Sequence, residues 1–270
     1  MKAQNLSVLV TGASSGIGAA TAQLLRDRGF EVFGTSRRPE QLGADAPDIR
    51  WVAMDICDED SVRRGVAQVL GTVPRLDALV CNAGFGIFGS VEEVSIAAAK
   101  AQFETNFFGT LRTLRATIPH LRAARRGRIA IVGSLAGRAP IPFQAHYSAS
   151  KAAVAALTLG LRNELHPLGV KVVLIEPGDI DTPFNDRMDW GDTAPSPYTD
   201  RIRRCEEVVQ KSLPQAPPAV VVARAIHRAL TARRPRVRYA VGAEALLVPL
   251  GRRLLPDWLS LKLIRSHFRI

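Results

Sequence analysis

The chain contains 270 residues, of which 47% are hydrophobic and 23% charged, a balance that is typical of globular proteins and excludes general disorder. Its three cysteines are scattered without a CxxC spacing and its five histidines form no HxxxH or HExxH pattern, so neither a disulfide framework nor a metal site is predicted. No apolar run reaches the roughly 18 residues of a membrane span, and the first ten residues are too polar for a signal peptide, so we expect a single cytoplasmic domain over residues 1–270.

The net charge of +11 arises entirely in the last quarter of the chain. Residues 201–270 contain 15 Lys and Arg against 4 Asp and Glu, whereas the first 200 residues are balanced. This asymmetry is compatible with an anionic partner or surface, or with a basic face that is merely solvated, which is the commoner arrangement. A nucleic-acid binder is not expected, because the basic runs carry no recognisable binding motif and few aromatic residues.

Short β-branched and apolar runs alternate with helical stretches along the chain. The predicted strands are Ser7–Val10, Glu31–Ser36, Ile49–Met54, Ala78–Asn82, Arg128–Gly133, Val170–Glu176 and Arg238–Val241. The predicted helices are Gly16–Arg28, Asp60–Leu70, Ala97–Ala124, Tyr147–His166 and Pro217–Ala232. Strands that are apolar on both faces and alternate with helices indicate a doubly wound parallel sheet, a three-layer α/β/α Rossmann fold. Ligands of such folds bind beyond the carboxyl ends of the strands.

The longest stretch without periodicity runs from Asp179 to about Asp200 and contains several prolines. Such stretches are either disordered or functional, for instance as active-site lids. Because this one follows a predicted strand end, we favour a lid. We therefore divide the domain into a cofactor-binding and catalytic core (1–185), a substrate loop or lid (179–216) and a basic, apolar C-terminal extension (243–270).

The first strand leads into a glycine-rich turn, Thr11–Gly18, with the sequence TGASSGIG, and a helix follows. Glycines allow the backbone to approach a pyrophosphate closely, and a helix N-terminus offers free N–H groups and a favourable dipole. A tight turn without a ligand is the alternative, but its position after the first strand of a βαβ unit favours dinucleotide binding.

The end of the second strand indicates which dinucleotide is preferred. An NAD site places an acidic residue there, whereas this chain reads Thr35-Ser36-Arg37-Arg38 and has no carboxylate before Glu40. Arginines at this place can pair with a 2′-phosphate. NADP(H) is therefore predicted in preference to NAD(H), the alternative being that both arginines are solvated loop charges.

Tyr147 and Lys151 lie four residues apart at the start of a predicted helix, which places them on one helical face. A lysine charge near a phenol favours the phenolate and lowers its pKa, which would bring the tyrosine towards the range useful for acid/base catalysis. A buried tyrosine beside a snorkelling lysine is the alternative. Ser134, at the end of a predicted strand on the same edge, is either a turn residue or a donor to a substrate oxygen.

Together these motifs resemble the short-chain dehydrogenase/reductase family over residues 6 to about 185. The family's Asn-Asn-Ala-Gly motif corresponds to Cys81-Asn82-Ala83-Gly84, with Cys81 departing from the pattern. The resemblance implies that Asp55 contacts the adenine, that Thr182 contacts the nicotinamide carboxamide, and that Asn106 completes a catalytic tetrad with Ser134, Tyr147 and Lys151. The residues then expected to bind the cofactor are Gly12, Ser14, Ser15, Gly16, Ile17, Gly18, Ser36, Arg37, Arg38, Asp55, Ile56, Asn82, Ala83, Gly84, Tyr147, Lys151, Pro177, Gly178, Ile180 and Thr182.

The resemblance also implies hydride transfer between NADP(H) and an alcohol or carbonyl, with Tyr147 as acid/base, Ser134 holding the substrate oxygen and Asn106 positioning a water chain. Residues 163–184 and 254–268 are similar to the subgroup of 17β-hydroxysteroid and retinol dehydrogenases, which implies a lipophilic alcohol or carbonyl substrate and a homodimer or homotetramer. The candidate residues for the substrate wall are Phe85, Phe88, Phe143, Phe184 and Trp190, each with packed core as the alternative.

The C-terminal extension mixes apolar residues with arginines and lysines, and we expect Pro249 and Pro256 to divide it into short helical pieces. It would either cover the substrate pocket or a subunit interface, which we favour, or lie on an anionic membrane or an acidic partner. The enzyme itself competes with one hypothesis from another class, a catalytically silent NADP(H) sensor on the same fold. The intact Tyr/Lys pair favours the enzyme.

Overall fold

The computed structural model describes residues 6–42, 49–184 and 195–270. Seven strands form one parallel sheet in the order β3-β2-β1-β4-β5-β6-β7. Their bounds are β1 Ser7–Val10, β2 Glu31–Ser36, β3 Arg50–Ala53, β4 Ala78–Cys81, β5 Arg128–Val132, β6 Lys171–Pro177 and β7 Arg238–Val241. This confirms the predicted doubly wound α/β/α fold, with each strand within one residue of its predicted ends.

The helices cover both faces of the sheet. They are α1 Gly16–Asp27, α2 Glu59–Thr72, α3 Ile96–Phe103, α4 Thr110–Ala123, α5 Ala145–Leu165, α6 Thr199–Ser212, α7 Val220–Thr231, α8 Ala243–Leu254 and α9 Asp257–His267, with a π-helical segment at Glu104–Gly109 and 3₁₀ turns at Pro39–Gln41, Leu135–Gly137, His166–Leu168 and Leu213–Gln215. Apolar residues of α1 and α7 pack on one face of the sheet, and those of α2, α4 and α5 pack on the other. The strand order reverses direction between β1 and β4, which creates the crevice where ligands of this fold bind.

The expected helix 97–124 is present as a continuous helical run over residues 96–123, in which one turn, Glu104–Gly109, is π-helical; a single extra residue in one turn leaves the helix unbroken. Two other predictions about the helices were wrong. Helix α6 was not predicted, since the stretch TDRIRRCEEVVQKS is strongly polar and buries only Cys205. In the extension, α8 continues through position 249 and the break comes only at Leu255–Pro256, because one proline removes one backbone hydrogen bond without having to end a helix. Within the described residues, no helix is long and apolar enough to cross a bilayer.

Candidate active site

The glycine-rich turn joins β1 to α1 in a conformation that requires glycine. Gly12 and Gly16 have φ angles of +63° and +54°, in the left-handed region that side chains with a Cβ rarely adopt. A Cβ on Gly18 would overlap the Gly12 carbonyl oxygen and lie 2.5 Å from Nδ2 of Asn82. Gly18 therefore packs against the backbone of the turn on the side away from the cavity, whereas Gly12 and Gly16 line the cavity.

Asn82 and Thr11 fasten this turn to the end of β4. The Asn82 side-chain amide donates to the carbonyl oxygens of Thr11 and Gly12 at 3.1 and 3.2 Å. In return, the Thr11 hydroxyl accepts from the backbone N–H groups of Asn82 and Ala83 at 2.9 and 3.2 Å. Thr11 was not among the predicted site residues, although it opens the TGASSGIG turn. Its buried hydroxyl holds the turn in place.

One continuous cavity of about 1500 Å³ runs along the carboxyl edge of the sheet. All the predicted cofactor residues except Gly18 line it. At its polar end Arg37 and Arg38 are exposed and follow β2, and the Ser36 hydroxyl accepts from the Arg38 backbone N–H at 3.2 Å. Glycines that leave room at a helix N-terminus, followed by two guanidinium groups, form a donor set that fits the phosphates of a dinucleotide.

Ser134, Tyr147 and Lys151 meet near the middle of the same cavity. Tyr147 and Lys151 are only 9% and 5% exposed, and Lys151 Nζ lies 5.8 Å from the centre of the Tyr147 ring. The ammonium is held in place by a 3.1 Å hydrogen bond to the Val132 carbonyl. Ser134 caps the 3₁₀ turn after β5 by accepting from Ala136 N–H at 3.1 Å, and its side chain also hydrogen bonds to Tyr147. The serine is thus both a turn residue and a neighbour of the phenol.

The pKa values of this pair differ from the expectation. Burial raises the pKa of Tyr147 to about 12, with a smaller contribution from the charge of Asp179, while the hydrogen bond with Ser134 lowers it. Burial also lowers the pKa of Lys151 to about 8. The expected net lowering of the phenol pKa is not found in this structure, because removal of the phenol from water is the largest influence on it. At neutral pH Tyr147 carries its proton.

Asn106 sits in the π-helical turn and is 1% exposed. Its Oδ1 accepts from Phe85 N–H at 3.0 Å, and its Nδ2 donates to the Phe85 carbonyl at 3.0 Å and to Ser150 Oγ at 2.9 Å. Ser150 Oγ in turn donates to the Tyr147 carbonyl at 2.8 Å. The Asn106 side chain therefore links the loop after β4 to the helical turn that carries Tyr147. Ser150 was not predicted, although it lies within the YSASK sequence.

The predicted substrate residues divide into three groups. Phe85 and Phe184 line the cavity, and the Phe184 ring lies 5.7 Å from that of Tyr147. Phe88 and Phe143 do not line it: they pack near Cys205 in an apolar cluster that also contains Phe184 and Phe268 of the cavity wall, so the structure places them behind the wall and not on it. Packing of this kind is the commoner use of aromatic residues. Trp190 lies outside the described residues.

The far wall of the cavity comes from elements beyond residue 200. Apolar side chains of α6, α8 and α9 and of the residues that follow α8 and α9 close this end, namely Val208, Val209, Val248, Leu255, Leu263, Ile264 and Phe268. The C-terminal extension thus covers the cavity, the interpretation favoured above. The cavity is polar where the glycine turn meets the arginines and apolar at its other end, and Tyr147 lies between the two.

Comparison with known proteins agrees with this geometry. Residues 7–191 match the family model described as short chain dehydrogenase. The chain is 39% identical over 207 residues to a 3-ketodihydrosphingosine reductase of Bacteroides thetaiotaomicron, covering 76% of each chain. It is 33% identical over 271 residues to the uncharacterized oxidoreductase YbbO of Escherichia coli, covering 98% of this chain and 96% of the relative.

The crystal structure of a short chain dehydrogenase from Burkholderia cenocepacia in complex with NADP has a TM-score of 0.77 and 29% identity, covering 97% of this chain and 98% of the other. Rat estradiol 17-beta-dehydrogenase 1 and human retinol dehydrogenase 8 are each 34% identical to this chain, over 70% or less of its length and 57% and 63% of their own. The predicted likeness to that subgroup is confirmed.

Proposed function

This chain belongs to the short-chain dehydrogenase family, whose members are oxidoreductases that act on CH–OH groups, and we propose that it interconverts a lipophilic alcohol and its ketone or aldehyde with NADP(H), using Tyr147 as the proton donor and acceptor. One observation carries the proposal. The Tyr147 side chain, hydrogen bonded to Ser134, lies in a cavity that extends from the glycine-rich turn to the apolar far wall formed beyond residue 200.

Preference for NADP(H) rests on the charges after β2. Arg37 and Arg38 line the cavity at this point, and no carboxylate precedes Glu40 in this segment. Two guanidinium groups favour an added phosphate, whereas the ribose diol of NAD(H) requires an acceptor such as a carboxylate. A structural relative in complex with NADP supports the same choice.

The nicotinamide cofactor supplies the hydride, and the protein supplies orientation and proton transfer. Ser134 donates to the substrate oxygen and stabilises the negative charge that develops on it. Tyr147 transfers its proton to that oxygen. Lys151, fixed by the Val132 carbonyl, keeps a cationic group close to the phenol and stabilises it once the proton has left. Asn106 and Ser150 fix the turn of α5 that carries Tyr147.

In the direction of reduction, the proton comes from Tyr147. A phenol with a pKa of about 12 holds a proton at neutral pH and can donate it as charge appears on a carbonyl oxygen. In the direction of oxidation, the same group accepts the proton of the alcohol.

The lipophilic substrate class rests on the apolar end of the cavity. Phe184 lies beside Tyr147, and the walls beyond it come from apolar residues of α6, α8 and α9. A ligand that places hydrocarbon against these apolar walls gains about 25 cal/mol of binding free energy per Å² of apolar surface removed from water. The relative from Bacteroides thetaiotaomicron is named for a lipid ketone, which supports the assignment.

The test is NADPH oxidation with ketones of increasing hydrocarbon length, using wild type, Tyr147→Phe and Tyr239→Phe. Tyr239 is a matched control because it is also 9% exposed but lies on β7 outside the cavity. We expect kcat/KM to rise with chain length in the wild type and in Tyr239→Phe. Tyr147→Phe should lose turnover by a factor of at least about 10² and still bind NADPH, measured by fluorescence titration. Binding without turnover in the wild type would instead identify a silent cofactor sensor, and retained turnover in Tyr147→Phe would disprove the assignment of the proton donor.

A further inference from the structure

Five basic side chains gather at the amino-terminal edge of the sheet, at the opposite end of the strands from the active site. They are Arg128 at the start of β5, Lys171 at the start of β6, Arg162 on α5, and Arg233 and Arg234 between α7 and β7. We call them the basic edge cluster. The catalytic and cofactor assignments above use none of them.

Arg128 and Lys171 are neighbours in the sheet. They are Cα partners in the parallel pairing of β5 with β6, so their side chains leave the sheet on the same face. Like charges at paired positions destabilise a sheet. Arg128 is only 9% exposed, and its Nε and Nη1 atoms are buried without a hydrogen-bond partner in the described part of the chain. A buried guanidinium normally has its donors paired, since burial of an unpaired cation is costly.

Backbone carbonyls, rather than carboxylates, hold the neighbouring cations in place. Lys171 Nζ donates to the Arg233 carbonyl. Arg162 donates to the Val172 carbonyl and, at 3.2 Å, to the Pro235 carbonyl. These bonds fix the positions of the cationic groups. Because carbonyl groups carry no net charge, the bonds do not neutralise the positive charge of the cluster.

No ion pair found within residues 6–42, 49–184 and 195–270 includes a member of the basic edge cluster. Asp77 accepts a hydrogen bond from the Arg128 backbone N–H through its carbonyl, but its carboxylate is already paired with Arg75 at 2.6 Å and with Arg126 at 4.0 Å. Burial, and then the charges of the other four members, lower the pKa of Lys171. The cluster therefore holds several positive charges in fixed positions, and no carboxylate of the described residues forms an ion pair with any of them.

We propose that the basic edge cluster is a binding site for a phosphate-type oxyanion, distinct from the dinucleotide site. An anion with several acceptor oxygens would supply both the countercharge and the acceptors that the Arg128 guanidinium lacks. The phosphate group can belong to a free anion or to a lipid headgroup, and vesicle binding distinguishes these two sources.

The first measurement is the thermal unfolding midpoint in inorganic phosphate against chloride at equal ionic strength. It is made on an Arg37→Ala/Arg38→Ala background, so that the two arginines of the predicted cofactor site do not contribute, and any phosphate bound at the glycine-rich turn is identified because Arg128→Met leaves it unchanged. At ten times its dissociation constant, phosphate should raise the midpoint by about 3–6 °C. The outcome does not depend on turnover, so it stands or falls separately from the proposed function.

Arg128→Met tests whether the unpaired guanidinium is responsible. Replacement of a buried unpaired charge by an apolar side chain should leave the midpoint in chloride unchanged or higher and abolish the rise in phosphate. Lys171→Met, a second and less buried position, should weaken phosphate binding about tenfold by calorimetry, roughly the loss of one charge-assisted hydrogen bond. Arg224→Met, an exposed arginine on α7, is the matched control and should keep the full rise.

Co-sedimentation with vesicles of phosphatidylcholine alone and with added phosphatidylglycerol separates the two sources. Binding to the anionic vesicles that Arg128→Met abolishes assigns a lipid headgroup, whereas a midpoint rise without vesicle binding assigns a free anion, and either supports the site. The proposal is overturned if neither phosphate nor anionic vesicles bind, or if Arg128→Met binds as the wild type does. It is also overturned if light scattering shows that Arg128→Met dissociates an oligomer while phosphate has no effect, since a partner chain would then supply the countercharge.

Discussion

Replacement of Ser150 by alanine tests whether the link between Asn106 and the helical turn of Tyr147 matters. Ser150 is fully buried, and its hydroxyl accepts from Asn106 Nδ2 at 2.9 Å and donates to the Tyr147 carbonyl at 2.8 Å. The alanine variant removes both bonds and leaves one buried Asn106 N–H without an acceptor. A buried donor left unpaired costs about 1–3 kcal/mol, which corresponds to a fall of roughly 2–12 °C in the unfolding midpoint of a chain of this size.

The effect on catalysis follows from the same geometry. Asn106 also holds both backbone polar groups of Phe85, which lines the cavity, so a displaced amide disturbs the alignment of the site. We expect kcat in Ser150→Ala to fall about tenfold, equivalent to about 1.4 kcal/mol of transition-state stabilisation, with the affinity for NADPH unchanged.

The control is Thr158→Val, which also removes a buried hydroxyl from α5. Thr158 Oγ1 donates only to the Val154 carbonyl of its own helix, at 2.7 Å, so its loss breaks no link between elements. The assays are thermal unfolding and steady-state NADPH oxidation on both variants. Equal midpoints and equal kcat values for the two variants would refute the positioning role of Ser150.

Three further predictions follow from the site. Burial lowers the pKa of Lys151 to about 8, so the free-energy cost of the buried ammonium is present in full below pH 8 and is relieved as the pH rises towards 10.5. Over that pH range, the free energy of unfolding of wild type relative to Lys151→Met should rise by roughly 1–3 kcal/mol, measured by urea titration. A difference that does not change with pH would contradict the lowered pKa. Gly18→Ala places a Cβ against the backbone of the glycine-rich turn and should lower stability by about 1–3 kcal/mol, whereas Gly160→Ala on α5 meets no atom within 4 Å and should be stabilising by about 0.5–1 kcal/mol. Arg37→Ala/Arg38→Ala should reduce kcat/KM with NADPH by about 10–100-fold and leave that with NADH within about twofold; a parallel loss with both cofactors would show that the arginines do not select the phosphate.

The parallel sheet could be predicted because its signal is local. Each strand is a short apolar run buried on both faces, such as RIAIV of β5, and such a run can be recognised without knowledge of its neighbours. The π-helical turn at Asn106 could not be predicted in this way, since the apolar pattern continues from α3 into α4. Helix α6 is polar on most of its surface and buries only Cys205, so its sequence resembles the loop that precedes it.

In the candidate site, too, features set by neighbouring residues in the sequence could be predicted, whereas features set by tertiary packing could not. The glycine turn and the Tyr147–Lys151 spacing are short-range patterns, and the structure brings them into one cavity. The pKa of Tyr147 depends on how much water the surrounding chain removes, which spacing does not reveal. Phe143 was assigned to the cavity from its position in the chain, but its ring packs against Phe88. Ser150 acts through a bond to a residue 44 positions away.

The positions of the cavity walls separate the reaction from the choice of substrate. The family match covers residues 7–191, and this part carries the glycine turn, the arginines after β2 and the group around Tyr147. The apolar far wall comes from α6, α8 and α9, all of which begin after residue 191. Because these helices pack over the open carboxyl edge without contributing a strand, their side chains can change without disturbing the sheet or the phosphate turn. The motifs shared with the family and the apolar far wall of the cavity are therefore encoded largely in different segments of the sequence.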